Sequence, residues 1–574
     1  MSSGMRLTQS AVAIWLLSVV VSARQAPTPA TPDKPEAGIP ISSAVVRTSC
    51  GGCHPSDDKG QMSRISFRRT TPEGWQNTIR RMVSLNGAHL DPQAAREVVK
   101  YLSNNNGLAP EEAAPAAFEA ERRLIDWKYS DADTEDTCNR CHSLGRVISQ
   151  RRTRPEWELL MSMHRGWYPL VDFQAFRRAG PPPRDPAPDG RPADKRQPME
   201  KAVDHLSKAF PLMTPEWAAW SAGVRAPRIE GTWALSGWEP GKGAIVGRVT
   251  IAAVSGTTDE FTTNIAVTTP STGDTMSRTG RATIYTGYQW RGRSMQGTDD
   301  RTGLKEVMAI DRDWQTISGR WFMGGYDEIG ADVRLTRLGG APTVLGTSRQ
   351  ALRTGVTGQP LTIYGANFPA TVAAAAVDLG PGVTVSRIVS STSDAVSVMA
   401  DVSATAGFGP RDIFVAGAAR PKAIVIYDRI DSVKVAPDWS MARLGGASYP
   451  KMLSQFEAWG FHRGPDGKPG TADDIKVDVV PATWSVEEYA TTYDDDDAKY
   501  VGSIDAKSGL FTPNIEGPNL QRTGNRNNVG DVWVVATLTP DAAGGGTAPL
   551  RARAHLLVTV PLYQQWTSFG EGPK

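Results

Sequence analysis

This sequence has no surplus charge of either sign. Its 63 Lys and Arg nearly cancel its 61 Asp and Glu, so no chain-wide field exists to hold polyanionic nucleic acid or an acidic membrane surface. Long apolar runs are missing too. The longest, Ala11 to Val21, is about a dozen residues and too short to span a bilayer comfortably, and no other segment approaches about 18. There is no Gly-rich phosphate loop, no H-E-x-x-H pair and no nucleophile elbow, which removes the motif-bearing nucleotide, zinc-protease and α/β-hydrolase classes. Histidine and cysteine are scarce, at seven and four.

What is present fits a multidomain globular protein. A chain of 574 residues predicts about three to five domains. With 40% hydrophobic and 22% charged residues it can build several cores. The 56 Gly and 41 Pro favour many short strands over long helices for most of the length. Arg6 ahead of the apolar run and small residues at Ser22 and Ala23 read as a signal peptide over 1–26, followed by a flexible Pro- and Ala-rich lead-in over 27–39. The mature chain is expected to be exported to the periplasm, with no membrane span after cleavage.

Two regions of different character follow. Residues 40–225 carry helical signals: Pro72-Glu73 ahead of Trp75, Ile79, Met82 and Leu85 on one face, and Asp91-Pro92 ahead of Ala95, Val98, Val99 and Leu102. A proline-rich surface loop, 180–190, interrupts them. From 229 onward the pattern is strand-like, with expected strands at 244–252, 261–267, 281–288, 307–310 and 317–323. The fold class expected is a multidomain chain: an all-α N-terminal domain, 40–225, then three all-β domains. These are a barrel-like domain, 229–340, and two immunoglobulin-like sandwiches, 341–428 and 429–574.

The chemistry lies in the helical part. Cys50-Gly51-Gly52-Cys53-His54 and Cys138-Asn139-Arg140-Cys141-His142 are two copies of C-x-x-C-H, the c-type haem attachment signature. Two thiols one helical turn apart add to the two vinyl groups of one haem edge, and the adjacent imidazole is placed to ligate iron. A four-thiolate zinc site needs pairs about 15–20 residues apart and has no use for the histidines; redox or disulfide pairs leave the histidines unexplained as well. All four cysteines are consumed by the two motifs. Cys50, Cys53, Cys138 and Cys141 are therefore read as attaching two covalent haems, with His54 and His142 as proximal ligands.

The sixth ligands follow from an internal parallel. Thr71-Pro72-Glu73-Gly74-Trp75 is followed seven residues later by Met82, and Arg154-Pro155-Glu156-Trp157 by His164, both on the Trp face of a helix. The expected pairs are His54/Met82 and His142/His164, with Met62 or His89 as rivals at the first haem and Met161 or Met163 at the second. Thr214-Pro215-Glu216-Trp217 has Val224 at the same offset, so the motif alone is a helix start with Pro at N1. A thioether ligand raises the haem potential relative to two imidazoles, so the two sites should be unequal. His89, His205, His462 and His555 have no partners at metal spacing. The stretch 466–474 reads as a β-turn rather than a calcium loop, and Asp494 to Asp497 as a solvated loop.

These residues give the chain a resemblance to a known family. The two C-x-x-C-H motifs, Gln150-Arg151-Arg152, Glu156-Trp157 and Met163-His164-Arg165-Gly166-Trp167-Tyr168-Pro169, ahead of a β-rich tail, resemble the α subunit of quinohaemoprotein amine dehydrogenase. The resemblance implies a periplasmic heterotrimer. A small γ subunit carries a cysteine tryptophylquinone that oxidises a primary amine, and a propeller-like β subunit completes the assembly. The α subunit passes the electrons through two haems to an external periplasmic copper protein or cytochrome c. With no cysteine left for a quinone cross-link, this chain fits the electron-transfer role and has no catalytic residues for amine chemistry. The alternatives are a stand-alone dihaem cytochrome c or peroxidase-like enzyme, which needs an open iron position, and a cell-surface binding protein.

Overall fold

The computed structural model describes residues 36–116, 129–139, 142–187, 190, 192–323, 329–446, 450–489, 495–546 and 548–560. The expected signal peptide and most of the lead-in, together with Cys141 and Asp494, lie outside the described residues. No helix among the described residues is long and apolar enough to cross a membrane.

The helical region is two similar halves joined by a ribbon. In the first, α1 (Ala44–Cys50) starts where the Ser43 side chain accepts from the Val46 amide. Strand β1 (Arg68–Thr70) leads into α2 (Pro72–Asn86), whose first turn is capped by Thr71 and which stops at Gly87 in the left-handed region, φ 68°. Asp91 caps α3 (Pro92–Asn105) through two amides. The apolar positions at helical spacing turn inward, and Val46, Met62, Trp75, Ile79, Val98, Val99 and Leu102 form one core.

After α4 (Pro110–Ala113), the second half repeats the order with α5 (Ala132–Cys138), α6 (Gly145–Ile148), β2 (Gln150–Arg152) and α7 (Arg154–Trp167), followed by α8 (Pro198–Ala209) and α9 (Pro215–Ser221). Its core holds Leu144, Ile148, Trp157, Leu160, Met161, Phe176 and Leu206. The ribbon is antiparallel, with Arg68 opposite Arg152, Arg69 opposite Arg151 and Thr70 opposite Gln150. Below it, Glu112 accepts from Arg69 Nη1 at 2.7 Å and Nη2 at 2.8 Å, from Arg151 Nε at 3.1 Å and from Thr214 Oγ1 at 2.7 Å. One buried carboxylate thus ties the matching arginines of the two halves together.

The next region is a closed eight-stranded antiparallel barrel of β3 (Gly231–Glu239), β4 (Gly243–Ala253), β5 (Glu260–Thr269), β6 (Asp274–Tyr285), β7 (Gln289–Gln296), β8 (Asp299–Ile310), β9 (Thr316–Met323) and β10 (Gly330–Arg337), with β10 pairing β3. Alternate residues such as Trp233, Leu235, Val249, Phe261, Trp290 and Val333 fill it. The single strand expected at 281–288 is instead the end of one strand and a turn. Thr286 (φ 56°) and Gly287 (φ 74°) make the hairpin connection, and buried Tyr288 disguises it as strand.

That turn docks on the helical region. The Thr286 amide donates to Asn104 Oδ1 at 2.7 Å, Trp220 Nε1 donates to the Thr286 carbonyl at 3.0 Å, and Tyr288 Oη donates to the Leu108 carbonyl at 3.0 Å. Arg291 grips Glu73 on α2 with Nε and Nη2.

Two further β units follow. Residues 341–428 form two four-stranded sheets around one core containing Leu361, Ile363, Val396, Val398, Ile413 and Ile424. Residues 429–560 form a four-stranded sheet and two three-stranded sheets with a core including Phe456, Phe511, Val532, Val534 and Leu556. The expected solvated acidic loop is corrected in part. Asp497 is buried, and Arg522, itself buried, is held by Asp496 at 2.8 Å and by Asp497; the run ends in an ion-paired anchor because Arg522 lies against it.

Candidate functional site

A cavity of about 610 Å³ opens in the helical region between the two halves, large enough for a cofactor. Its walls include Cys138 and His142 of the second motif, His164, Met161 and Met163 from α7, and Trp157, Tyr168 and Phe176. The second half does not build it alone. Arg68, Thr70, Glu73, Asn77 and Arg81 of the first half line it too.

The two histidines are each held by a backbone carbonyl. His142 Nδ1 lies 2.9 Å from the Ser143 carbonyl, and His164 Nδ1 lies 2.8 Å from the Leu160 carbonyl one turn back. An Nδ1–H donated to a carbonyl fixes the tautomer that leaves the Nε2 lone pair for a metal. Burial pushes the His142 imidazole down to about 4, with the nearby Arg146 and His164 adding to the effect. Burial lowers His164 in the same way. Both shifts favour the neutral imidazole, the form that ligates a metal. Burial also pushes the Cys138 thiol up to about 12.

The wall also carries unpaired donors. Arg68 Nε, Arg81 Nε and Trp157 Nε1 are buried without a hydrogen-bond partner, beside a cavity whose exposed surface is mostly apolar. A cavity whose wall carries two histidines, a cysteine and unpaired cationic donors suits a haem, a flat apolar disc with two carboxylates. The residues present fit the group.

The first motif is more open. Cys50 ends α1, half-buried, while Cys53 is exposed. His54 Nδ1 lies 3.0 Å from the Ser63 carbonyl, which again leaves Nε2 for a ligand role, and burial lowers its pKa. Met82 sits two turns beyond Trp75 on α2, half-buried. Of its rivals, Met62 is wholly buried in the apolar core and His89 is exposed. At the second site both rivals, Met161 and Met163, share the cavity with His164. The structure thus brings together every described residue assigned to the second haem.

Sequence reasoning missed the cationic wall, although its signal was there: Arg68-Arg69 precedes the helix start at Trp75 and Gln150-Arg151-Arg152 the one at Trp157. The remaining histidines are engaged elsewhere. His205 Nε2 lies 2.8 Å from Tyr129 Oη, and His555 Nε2 lies 3.1 Å from Asp531 Oδ1. His462 lies near Asp428 and Asp431, a grouping its sequence spacing does not reveal. The stretch 466–474 closes on itself, with Thr471 Oγ1 donating to Asp473 Oδ1 at 2.7 Å.

Four family models match consecutive parts of the chain. They are described as quinohemoprotein amine dehydrogenase A, alpha subunit, haem binding, over 41–180; and quinohemoprotein amine dehydrogenase, alpha subunit, domain II over 226–338, domain III over 341–428 and domain IV over 433–568. No curated protein matches. Among solved structures, a redesigned β-barrel aligns with TM-score 0.18 and 15% identity, covering 20% of this chain and 97% of the other. A de novo fluorescence-activating β-barrel aligns with TM-score 0.17 and 16% identity, covering 20% and 100%. Mouse protocadherin-24 EC1-3 aligns with TM-score 0.16 and 12% identity, covering 47% and 86%.

Proposed function

Because this chain belongs to the quinohaemoprotein amine dehydrogenase alpha subunit family, we propose that it is the dihaem electron-transfer subunit of such an enzyme. In this reading it is periplasmic after loss of a signal peptide over 1–26. It takes electrons from a cysteine tryptophylquinone in a small γ subunit, where primary amines are oxidised. It assembles with that subunit and a propeller-like β subunit, and delivers electrons to an external copper protein or cytochrome c. The three β regions act as scaffold for these partners, with 341–428 and 429–574 read as immunoglobulin-like sandwiches.

The observation that carries this reading is the pairing of His142 and His164 in one apolar cavity with Cys138, each imidazole held through Nδ1 to a backbone carbonyl. When bound, each haem supplies a one-electron Fe(III)/Fe(II) couple. Cys50, Cys53, Cys138 and Cys141 would anchor the two groups, with His54 and Met82 as the protein ligands of one and His142 and His164 as those of the other. A chain that offers two ligand side chains for each haem favours electron transfer over the peroxidase alternative, which needs an open iron position.

The test is a denaturing mass spectrum of the natively purified protein with its co-purifying chains. Two covalent haems on this chain beside a small cross-linked subunit is the expected result. Two haems with no partner, together with carbon monoxide binding to the reduced protein, would favour the stand-alone peroxidase-like alternative. An unmodified mass from a host competent in cytochrome c maturation would overturn the haem assignment.

A further inference from the structure

The two faces of the β1–β2 ribbon are built alike but satisfied differently. On one face Arg69 and Arg151 stand opposite each other and share Glu112. On the other, Arg68 and Arg152 stand opposite each other, and like charges so placed repel. Arg68, Arg81 and Arg152 all line the cavity. The chain supplies little to balance them. Glu156 lies 3.6 Å from Arg152 Nη1 but is engaged by Arg64 Nε at 2.8 Å. Glu73, also on the wall, is held by Arg291 of the barrel.

The guanidiniums are nonetheless fixed in place. Arg68 lies over Trp75 at 5.1 Å, Arg81 over Trp167 at 5.3 Å and Arg152 over Trp157 at 5.7 Å. Stacking sets the plane of each fork in advance. Three N–H groups on this wall, Arg68 Nε, Arg81 Nε and Trp157 Nε1, are buried without an acceptor. Burial and the crowding of like charges push Arg68 far down, and burial pushes Arg152 to about 9 against the attraction of Glu156. Buried donors without an acceptor are costly unless a ligand satisfies them.

We propose that Arg68, Arg81 and Arg152, with the Trp157 indole N–H, seat the propionate carboxylates of the haem attached at Cys138. The inference rests on the haem reading above and extends it: two of the three arginines come from the first half, so that half holds the second half's haem. The ligand supplies on this face of the ribbon what Glu112 supplies on the other. These are positioning residues. Their positive field favours the less positive ferrous iron and raises the potential of that haem alone.

The test uses the full-length protein matured with both haems, with variants Arg68→Gln, Arg81→Gln and Arg68→Lys. Haem content comes from the denaturing mass and the pyridine haemochrome, and the two potentials from spectroelectrochemical titration. Arg68→Gln and Arg81→Gln are expected to keep two covalent haems and to lower the ferrous-to-ferric ratio of one haem at least tenfold at fixed ambient potential. That is about 59 mV for a one-electron couple. Arg68→Lys is expected to restore most of the shift. If Arg68→Gln does not fold, Arg81→Gln, on a partly exposed side chain, carries the test. Two haems with both potentials unchanged within twofold would overturn the propionate seat and leave the haem reading intact. Wild-type protein without covalent haem would overturn that reading itself.

Discussion

Glu112→Gln probes the tie between the two halves of the helical region. The substitution keeps the shape of the side chain and removes its charge. Arg69, with no exposed side-chain surface, and Arg151 then lose their shared counter-ion. Removing one member of a buried ion pair costs about 3–5 kcal/mol, mostly the penalty of the uncompensated charge left behind. In a unit of this size 1 kcal/mol moves the melting midpoint by about 2–4 °C, so the expected loss is roughly 6–20 °C.

The assay is scanning calorimetry of the haem-loaded protein, with haem absorbance marking the helical transition, because a multidomain chain has no single midpoint. The pH dependence supplies a second arm. Burial pushes the Glu112 carboxyl up, but the Arg69 hydrogen bonds and the charges of Arg69 and Arg151 outweigh it and hold it below the usual carboxylate range. A depressed folded-state pKa stabilises fully above the unfolded value, about 4.3, and the stabilisation is lost as pH falls through the folded value. The gap between wild type and variant should be constant from pH 6 to 8 and narrow on acidification below about 4.3. A shift under about 2 °C at pH 7, or a gap indifferent to acid, would refute the reasoning.

Three further outcomes are expected. His164→Ala should change the low-spin spectrum of one haem and leave the other intact; an unchanged spectrum removes His164 from the ligand set. Met82→Leu should lower the potential of the first haem or open it to carbon monoxide, because the thioether is gone; if neither moves, the ligand lies elsewhere, with Met62 or His89 the next to replace. Glu306, buried in the barrel, has one oxygen bonded to Trp290 Nε1 at 2.9 Å and the other unpartnered, and burial raises its pKa. A raised carboxyl costs stability as pH rises through the unfolded value, so Glu306→Gln should leave the barrel melting at or above the wild-type temperature at pH 8, read by calorimetry; a clear loss would mean that the carboxylate is stabilising.

Much of this was legible because the signals are local. The helix starts at Thr71-Pro72 and Asp91-Pro92 announce themselves through cap chemistry, and the observed α2 and α3 begin there. The seven-residue offset that relates Trp157 to His164 lies within a single helix, so helical geometry alone places both on one wall. Sequence could not show that Arg68 and Arg81 belong to a cavity whose histidines lie 61 to 96 residues further on, since that closeness exists only in the folded chain, through the ribbon register. The apparent strand at 281–288 failed for a related reason. Its apolar pattern is set by docking of the turn on Asn104 and Trp220, a tertiary demand that local alternation cannot distinguish from strand pairing.

The shared wall also imposes an order in time. A cavity completed by Arg68, Thr70 and Arg81 has no finished shape until the earlier half of the chain has folded, and chains emerging from synthesis or export tend to fold from the N-terminus onward. In the dihaem reading, a first half that failed to fold would deprive the second cavity of Arg68, Thr70 and Arg81 on its wall, so a fault in the earlier segment would reach the later site.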